Sequence, residues 1–479
     1  MNQNKVRTRF APSPTGFMHI GNLRTALYAY LYARANGGQF VLRIEDTDRE
    51  RYVEGAEALI NRTLKASGID YDEGPDKDGG VGPYIQSKRK DIYIKYAKEL
   101  VERGHAYYCF CTKERLETLI DENGNRKYDG HCKNLTKEEV QAKLDACEPY
   151  VIRQKIEKGV SEYDDMVFGH IAVDSEDMED EILIKSDGLP TYNFANVIDD
   201  HLMNITHVIR GTEYLSSTPK YNLIYDGFGW QRPYYMHLPP IMKDATHKLS
   251  KRYGDANFED FTARGFLPEA IVNYIALLGW SPKNDREKLS MDELKTLFNV
   301  EGISKSGSIF DEMKMKWLNG EYLKEMSVED FKKVAEPFFK KSKVYGKFDL
   351  TLLSELIKTR IETLDEIPSL VDFLCEFDKY DTELFVHNKM KTDKEIATTV
   401  LNASLDVFGT TEWNADALHD NLIALSEKLG MKKGQVLWSV RVALTGRAST
   451  PGGAIEMAML LGRDESIKRI EFSLKLLGD

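Results

Sequence analysis

The sequence predicts an α/β chain in three parts: a parallel-sheet unit of the nucleotide-binding kind, a mixed α/β segment inserted into it, and an all-helical C-terminal region. Three observations carry this reading. The first fifty residues run strand, Pro/Gly loop, helix, strand. A further strand of buried parallel type returns only near residue 205, after an excursion with its own turn chemistry. Beyond about residue 255 the β-type runs stop and apolar residues recur at helical spacing. At about 150 residues per domain, the 479 residues suit roughly three domains.

Residues 6–10 form a short β-type run, and APSPTG at 11–16 forbids both helix and strand, because proline fixes φ and lacks an N–H. From Asn22 a helical pattern sets Leu23, Ala26, Leu27, Tyr30 and Leu31 on one face, and Gly37 and Gly38 stop it. Residues 40–44 make a second strand that ends on Glu45, Asp46 and Asp48. This β-loop-α-β unit is Rossmann-type, with its loop at the carboxyl end of the first strand, where open α/β sheets bind ligands. The excursion at 85–193 carries cysteines, β-type runs at 150–154 and 181–185, and the turn Asp187-Gly188. Residues 205–209 read as a buried parallel strand that ends on Arg210, Gly211, Thr212 and Glu213. Helical patterns follow at 268–278, 291–298, 328–338, 350–363, 418–430 and 455–461. No internal repeat or low-complexity tract interrupts them.

Composition narrows the setting. With 42% apolar and 30% charged residues the chain is that of a folded, soluble protein. Its longest apolar stretch, 271–280, is interrupted by Asn273 and falls short of the ~20 residues a bilayer span needs. The opening MNQNKVRTRF has no apolar core of a signal peptide, and five cysteines make no disulfide framework. These features point to the cytoplasm and away from a membrane partner. The net charge of −12 argues against a nucleic-acid partner, unless basic residues gather on one face of an acidic protein.

Two segments carry chemistry. PSPTGFMHIGN at 12–22 is a tight loop opening a helix, where Gly16 and Gly21 let a ligand approach the backbone and the His19 ring could face a phosphate. The helix that follows offers unpaired amide N–H groups and the positive end of its dipole. KLSKR at 248–252 packs two lysines and an arginine around a small serine, a cationic loop suited to a triphosphate. Each taken singly is more often an ordinary loop or a solvated charge run.

Together and in this order, APSPTGFMHIGN, RIEDTD, SDGLPTYNFANVIDDH, VIRGTEYL and KLSKR resemble the class I aminoacyl-tRNA synthetases, specifically the glutamyl-tRNA synthetases of bacterial type. The resemblance runs essentially end to end, through 306–323 and 443–453. Asn22 stands where the family signature usually has a second histidine, and KLSKR departs from Lys-Met-Ser-Lys-Ser at its second and last positions. His19, Gly21 and Lys251 are kept.

The resemblance implies an ATP-dependent ligase. The α-carboxylate of glutamate attacks the α-phosphorus of ATP, and a terminal ribose hydroxyl of tRNA(Glu) then takes the glutamyl group, releasing AMP. Catalysis would rest on positioning and charge stabilisation. His19 and Lys251 would attend the phosphates with Lys248 in support, and Mg²⁺ would bridge phosphate oxygens. The ATP site would comprise Pro12, Ser13, Thr15, Gly16, His19, Gly21, Asn22, Glu213, Lys248, Leu249, Ser250, Lys251 and Arg252. Glutamate, a dianion with an ammonium group, calls for an arginine and an acid. Positions matching the family's pocket are Arg9, Ala11, Ser13, Glu45, Tyr192, Asn196 and Arg210. Arg9 or Arg210 would hold the side-chain carboxylate, and Glu45 the ammonium.

The expected domains are 1–84 with 194–254 (Rossmann-type catalytic domain), 85–193 (tRNA acceptor-end-binding insert), 255–325 (stem-contact helices) and 326–479 (α-helical anticodon-binding region). In the last, Lys432, Lys433, Arg441, Arg447 and Arg463 are candidates for the local basic surface. A monomer is expected, charging tRNA(Glu) and, depending on its anticodon contacts, tRNA(Gln). A glutaminyl-type enzyme would end in β-barrels, a truncated relative would lack the anticodon region, and a non-catalytic paralogue would have lost His19 or Lys251.

Cys109, Cys111 and Cys132 place three thiols within reach of one Zn²⁺. Some relatives have a fourth ligand two residues beyond the last cysteine, where Asn134 is a poor donor. Tyr128 or His131 could complete a tetrahedron; loss of the metal is the competing reading. Cys147 and Cys375 read as buried or incidental thiols.

Overall fold

The computed structural model describes residues 5–48, 52–120, 128–249 and 257–478. They form two compact units, Met1–Thr262 with Pro268–Glu312, and Ala263–Leu267 with Met313–Asp479.

In the first unit, β1 (Arg7–Phe10) and β2 (Gln39–Leu42) pair in parallel around the crossover helix α1 (Ile20–Ala35). This helix starts two residues before the expected Asn22 because His19 caps it, its ring Nδ1 accepting from the Gly21 N–H at 3.1 Å. It is also buried nearly all round, since Tyr28, Ala29, Tyr32 and Ala33 join the expected apolar stripe. A helix apolar on every side is an internal one. At its far end Gly37 adopts φ +60°. Gly38 lies so close to Val6 that a Cβ there would strike the Val6 carbonyl, which is where the chain doubles back to lay β2 beside β1.

After α2 (Ala56–Ala66) the excursion comprises α3 (Lys90–Glu102), β3 (Ala106–Cys109), α4 (Lys113–Glu117), α5 (Lys137–Asp145), β4 (Val151–Gln154), β5 (Val160–Asp165), β6 (Gly169–Asp174) and β7 (Ile182–Ile184). Strand β4 pairs antiparallel with β3 and β7. The chain then returns through α6 (Tyr192–Leu202), β8 (His207–Gly211), α7 (Thr218–Phe228) and β9 (Tyr234–Leu238). Strands β8 and β9 pair in parallel, and the antiparallel β5–β6 hairpin extends their sheet through Asp165 opposite Tyr235, in the order β6-β5-β9-β8. The Thr206 N–H donates to the Arg7 carbonyl at 2.9 Å, laying the start of β8 beside β1.

One apolar core links the excursion to the main sheet. Tyr93 and Leu100 of α3, Ile152 of β4, Leu183 of β7, Phe194 and Ile198 of α6, and Tyr221 and Phe228 of α7 belong to it. Each such side chain contributes about 1.5–3 kcal/mol on burial, so these elements fold against one another.

Helices α8 (Phe258–Ala263), α9 (Pro268–Leu277) and α10 (Met291–Leu297) follow, but strands do not end at residue 255 as expected: β10 (Ile241–Met242) pairs in parallel with β11 (Ser308–Ile309). Two-residue strands carry no readable alternation. Buried Arg24 of α1 donates to the Leu278 carbonyl at 3.0 Å and to that of Pro239, tying α1 to the segments on either side of it.

The described residues of the second unit are helical: α11 (Glu312–Glu325, which begins at the unit boundary), α12 (Val328–Phe339), α13 (Leu350–Ile357), α14 (Ile367–Val371), α15 (Lys394–Thr410), α16 (Ala415–Lys428), α17 (Lys433–Thr445), α18 (Ala454–Leu461) and α19 (Arg463–Gly478). The pattern at 350–363 breaks at Ile357, because Thr363 and Glu366 form a capping box that starts a new turn. Helix α15 packs against α16, α17 and α19. Among the described residues no helix is long and apolar enough to cross a membrane.

Candidate active site

Strand β1 runs parallel to β2, and β8 to β9; Arg7 meets Thr206 and Arg9 meets Ile209, so β1 and β8 point the same way and the carboxyl ends share one side, where such sheets bind ligands. The loop after β1 is pinned there by backbone bonds: the Glu45 N–H donates to the Pro12 carbonyl, and that of Val53 to Pro14, each at 3.0 Å. Ser13, Thr15 and Asn22 are exposed on it, while Ala11, Gly16, His19 and Gly21 are half-buried and Pro12 is buried. Gly16 takes φ +113°, and a Cβ on Gly21 would crowd the His19 ring at 3.3 Å. Because His19 Nδ1 accepts from Gly21, the neutral ring carries its proton on Nε2, the other edge.

Behind the loop, charges are buried in a connected set. Arg9 Nε lies 3.1 Å from Asp200 Oδ1, and its Nη1 donates to the Ile209 carbonyl at 3.2 Å. Arg43 reaches Asp200 at 2.7 Å and Glu45 at 2.9 Å. Asp199 receives Arg89 Nε at 2.7 Å, with Gln86 and the Tyr93 hydroxyl each at 2.8 Å. Burial raises the carboxyls of Glu45 and Asp199 above their ordinary range, even with arginines beside them. Asp200 is equally buried, but Arg9 and Arg43 hold it below that range.

Arg210, at the end of β8, is only 5% exposed. Its Nη2 donates to Thr218 Oγ1 at 2.6 Å and its Nε to His237 Nε2 at 3.2 Å. The guanidinium carbon sits 4.8–5.5 Å from the ring centres of Tyr214, Tyr221 and Tyr235. The Tyr192 ring lies 5.4 Å from that of Tyr214, and burial with Glu45 nearby pushes its hydroxyl well above the ordinary range. Asn196 is buried and donates back to the Tyr192 carbonyl of its own helix at 2.8 Å.

Residues 5–317 match the family of tRNA synthetases class I (E and Q), catalytic domain, and residues 311–474 match an anticodon binding domain. The chain is 55% identical to the glutamate–tRNA ligase of Clostridium kluyveri, over 99% of this chain and 98% of that one. The chain belongs to the glutamate–tRNA ligase family. A second member, from Clostridium botulinum strain Eklund 17B, is 54% identical over the full length of both. The crystal structure of a glutamate tRNA ligase from Elizabethkingia meningosepticum in complex with its amino acid aligns with a TM-score of 0.89 at 34% identity, over 98% of this chain and 99% of that one.

Other residues expected of a glutamate–tRNA ligase are distributed as follows. Glu213 is exposed, its carboxylate over Gly211, where a Cβ would collide with it. Lys248 is exposed and bridged to Met242, and the Leu249 N–H donates to the Ile241 carbonyl at 2.9 Å. Ser250, Lys251 and Arg252 lie outside the described residues. Lys432, Lys433 and Arg447 are exposed. Arg441 turns onto the Trp438 ring and the Ala448 carbonyl, and Arg463 binds the carbonyls of Gly409 and Thr411 at the end of α15. Those two therefore brace the fold more than they face solvent.

The three cysteine sulfurs lie within 4.8 Å of one another, with Cys111 and Cys132 at 3.6 Å. The Tyr128 hydroxyl stands 3.3 Å from Cys109 and 4.0 Å from Cys111. The three sulfurs could hold one zinc, and the Tyr128 hydroxyl lies beside two of them. His131 is exposed and outside this group, and Asn134 is exposed as well. Burial, with Cys132 beside it, pushes the Cys111 thiol up to about 12. Cys147 is exposed and Cys375 half-buried, so neither is a core thiol.

Sequence reading missed Arg43, Gln86, Arg89, Asp165, Asp199, Asp200, Thr218 and His237. A signal existed for some: Arg43 interrupts the apolar FVLRI, and Asp199 and Asp200 end the apolar FANVI. A charge inside a buried run has to be paired.

Proposed function

We propose that the glutamate–tRNA ligase activity of this family runs, in this chain, through a pocket bounded by Arg9, Glu45, Tyr192 and Arg210. One observation carries the reading: a buried arginine, Arg210, keeps its Nη1 free of any hydrogen bond to a described residue, and Tyr192 lies near both it and buried Glu45. Arg9 likewise directs Nε and Nη1 to protein and leaves Nη2. Together these nitrogens suit the side-chain carboxylate of glutamate, and Glu45 suits its ammonium. Ala11 and Ser13 line the approach, and Asn196 supports Tyr192 from behind.

Bound this way, the α-carboxylate is left to attack the α-phosphorus of ATP and expel pyrophosphate. The 3′-terminal ribose hydroxyl of tRNA(Glu) then attacks the activated carbonyl and AMP leaves. No covalent bond to the protein forms, so rate comes from alignment and from neutralising phosphate charge. The loop at 12–22 and Glu213 hold the nucleotide, His19 meets its phosphates through Nε2–H, and Lys248 and Lys251 do so from the KLSKR segment. Mg²⁺ bound with the nucleotide would supply further neutralisation of phosphate charge.

Cys109, Cys111 and Cys132, with Tyr128, would hold one structural zinc that would tie β3 to the 128–134 segment. In the helical unit, a cleft of about 640 Å³ lined by Arg360, Phe373, Glu376, Arg447 and Thr450 suits splayed anticodon bases. Lys432 and Lys433 add positive charge on that unit. The chain works as a cytoplasmic monomer divided into the four domains expected above.

The test is aminoacylation with glutamate on purified tRNA(Glu) and tRNA(Gln), with pyrophosphate exchange run with and without tRNA. Arg210→Ala is expected to raise KM for glutamate by about 100-fold, roughly 3 kcal/mol. A glutamate KM that stays at the wild-type value would overturn the pocket.

A further inference from the structure

We infer that Asp165 and His237 are a positioning pair for Arg210, fixing the orientation of the guanidinium that receives the glutamate side chain; the inference rests on the pocket proposed above. The hydrogen bonds have only one consistent direction. Asp165 Oδ1 accepts from the N–H groups of Val167 and Phe168, both at 2.9 Å, so its own turn holds the carboxylate still. Its Oδ2 lies 2.7 Å from His237 Nδ1 and 3.1 Å from the His237 N–H. Arg210 can only donate, so the His237 Nε2 facing its Nε must be a lone pair, which puts the ring proton on Nδ1, toward Asp165. Thr218 completes the cradle, because its hydroxyl donates to the Tyr214 carbonyl at 2.8 Å and turns a lone pair to Arg210 Nη2.

His237 is fully buried, so no water can replace either partner. The groups around it are Asp165 and Tyr163 from β5, Arg210 from β8, Glu213 just beyond β8, Thr218 from α7 and Tyr235 from β9. Burial holds its ring below the ordinary histidine range, which keeps the acceptor in place at neutral pH. Asp165 ends the hairpin strand that the excursion adds to the main sheet. The excursion thereby supports the amino-acid pocket through a buried chain of three side chains.

A purely structural role would make Asp165–His237 a clasp between β5 and β9, with no effect on substrate. Asp165→Asn separates the two at constant shape. The amide oxygen keeps the Val167 and Phe168 bonds, but its NH2 loses the bond from the His237 backbone N–H and turns the ring proton onto Nε2, where it meets Arg210 donor to donor, the logic of a tautomer lock. KM for glutamate should rise about 10-fold or more, while KM for ATP stays near wild type. His237→Gln, which offers an oxygen near the Nε2 position, should retain a near-normal glutamate KM. His237→Asn reaches only the Nδ1 position and should behave as Asp165→Asn does. If one of these variants fails to fold, the others still decide. An unchanged glutamate KM in Asp165→Asn, or equal impairment in Gln and Asn, overturns the positioning pair. Arg210→Ala tells this failure apart from that of the pocket: if it too leaves glutamate KM unchanged, the pocket is wrong; if it alone raises KM, only the pair is wrong.

Discussion

Arg43 Nη1 stands 2.7 Å from Asp200 Oδ1, and through that carboxylate the guanidinium of Arg43 is joined to that of Arg9. Arg43 also holds Glu45 at 2.9 Å, so one fully buried cation links the proposed carboxylate-binding and ammonium-binding sides of the pocket. Buried charges of this kind stabilise little in sum, yet removing one member strands the others. Arg43→Met should therefore cost about 3–5 kcal/mol and shift the urea midpoint of the unit that contains it. An unshifted midpoint would mean that water reaches the set.

A second buried pair gives a pH-dependent expectation. Arg7 donates to both oxygens of Glu73, at 2.7 and 2.6 Å, and this pairing holds the Glu73 carboxyl below its ordinary value of 4.5. A carboxyl lowered on folding adds stability above its unfolded pKa, and loses it as pH falls through the folded value. Glu73→Gln should be about 2 kcal/mol less stable than wild type at pH 7. The gap should close progressively below about pH 4.5. Paired denaturation curves across that range would show it, and a constant gap would contradict the assignment.

These two pairs mark where the sequence was readable and where it was not. Residues 6–10 and 40–44 were legible as strands because β-type residues run there, alternating with arginines in the first, and the folded ranges differ by only a residue or two. Arg7, Arg9 and Arg43 lie in those same runs, but an arginine in a sequence defaults to solvent, and its partners Glu73 and Asp200 are 66 and 191 residues away. Helix α1 was legible as a helix but not as a buried one, since periodicity detects one face and several of its tyrosines sit off that face. Arg210, Tyr192 and Glu45 came from matching motifs, whereas Asp165, Thr218 and His237 belong to no motif and are assembled only by the sheet order β5-β9-β8.

The cysteine cluster predicts a metal content. Purified protein should carry about one zinc per chain. Cys132→Ser should lose it and lower the thermal stability of the excursion. Tyr128→Phe should weaken retention against a chelator, because its hydroxyl beside Cys109 and Cys111 is the proposed fourth donor. Metal-free protein of full stability would show instead that the thiols persist without their ion.

Lys251→Ala should abolish glutamyl-tRNA formation while leaving melting behaviour and tRNA affinity nearly intact. Aminoacylation beside a binding assay checks this, and wild-type rates would remove Lys251 from the chemistry.

Glu45 offers the sharpest separation of stability from function. Burial raises its carboxyl above the ordinary 4.5 in the folded chain. For a raised carboxyl the sign reverses: the charged form is disfavoured by folding at neutral pH, and that cost lifts as pH falls through the folded value. Glu45→Gln should then leave the free protein at least as stable as wild type at pH 7, because Arg43 retains Asp199 and Asp200. Substrate binding moves the other way. Protonation or substitution removes the charge proposed to meet the glutamate ammonium, so the variant should show a KM for glutamate raised about 100-fold. In the wild type, kcat/KM should fall on an acid limb centred above 4.5, and that limb should vanish in Glu45→Gln. A variant that loses stability but keeps its glutamate KM would make Glu45 a partner of Arg43 and nothing more.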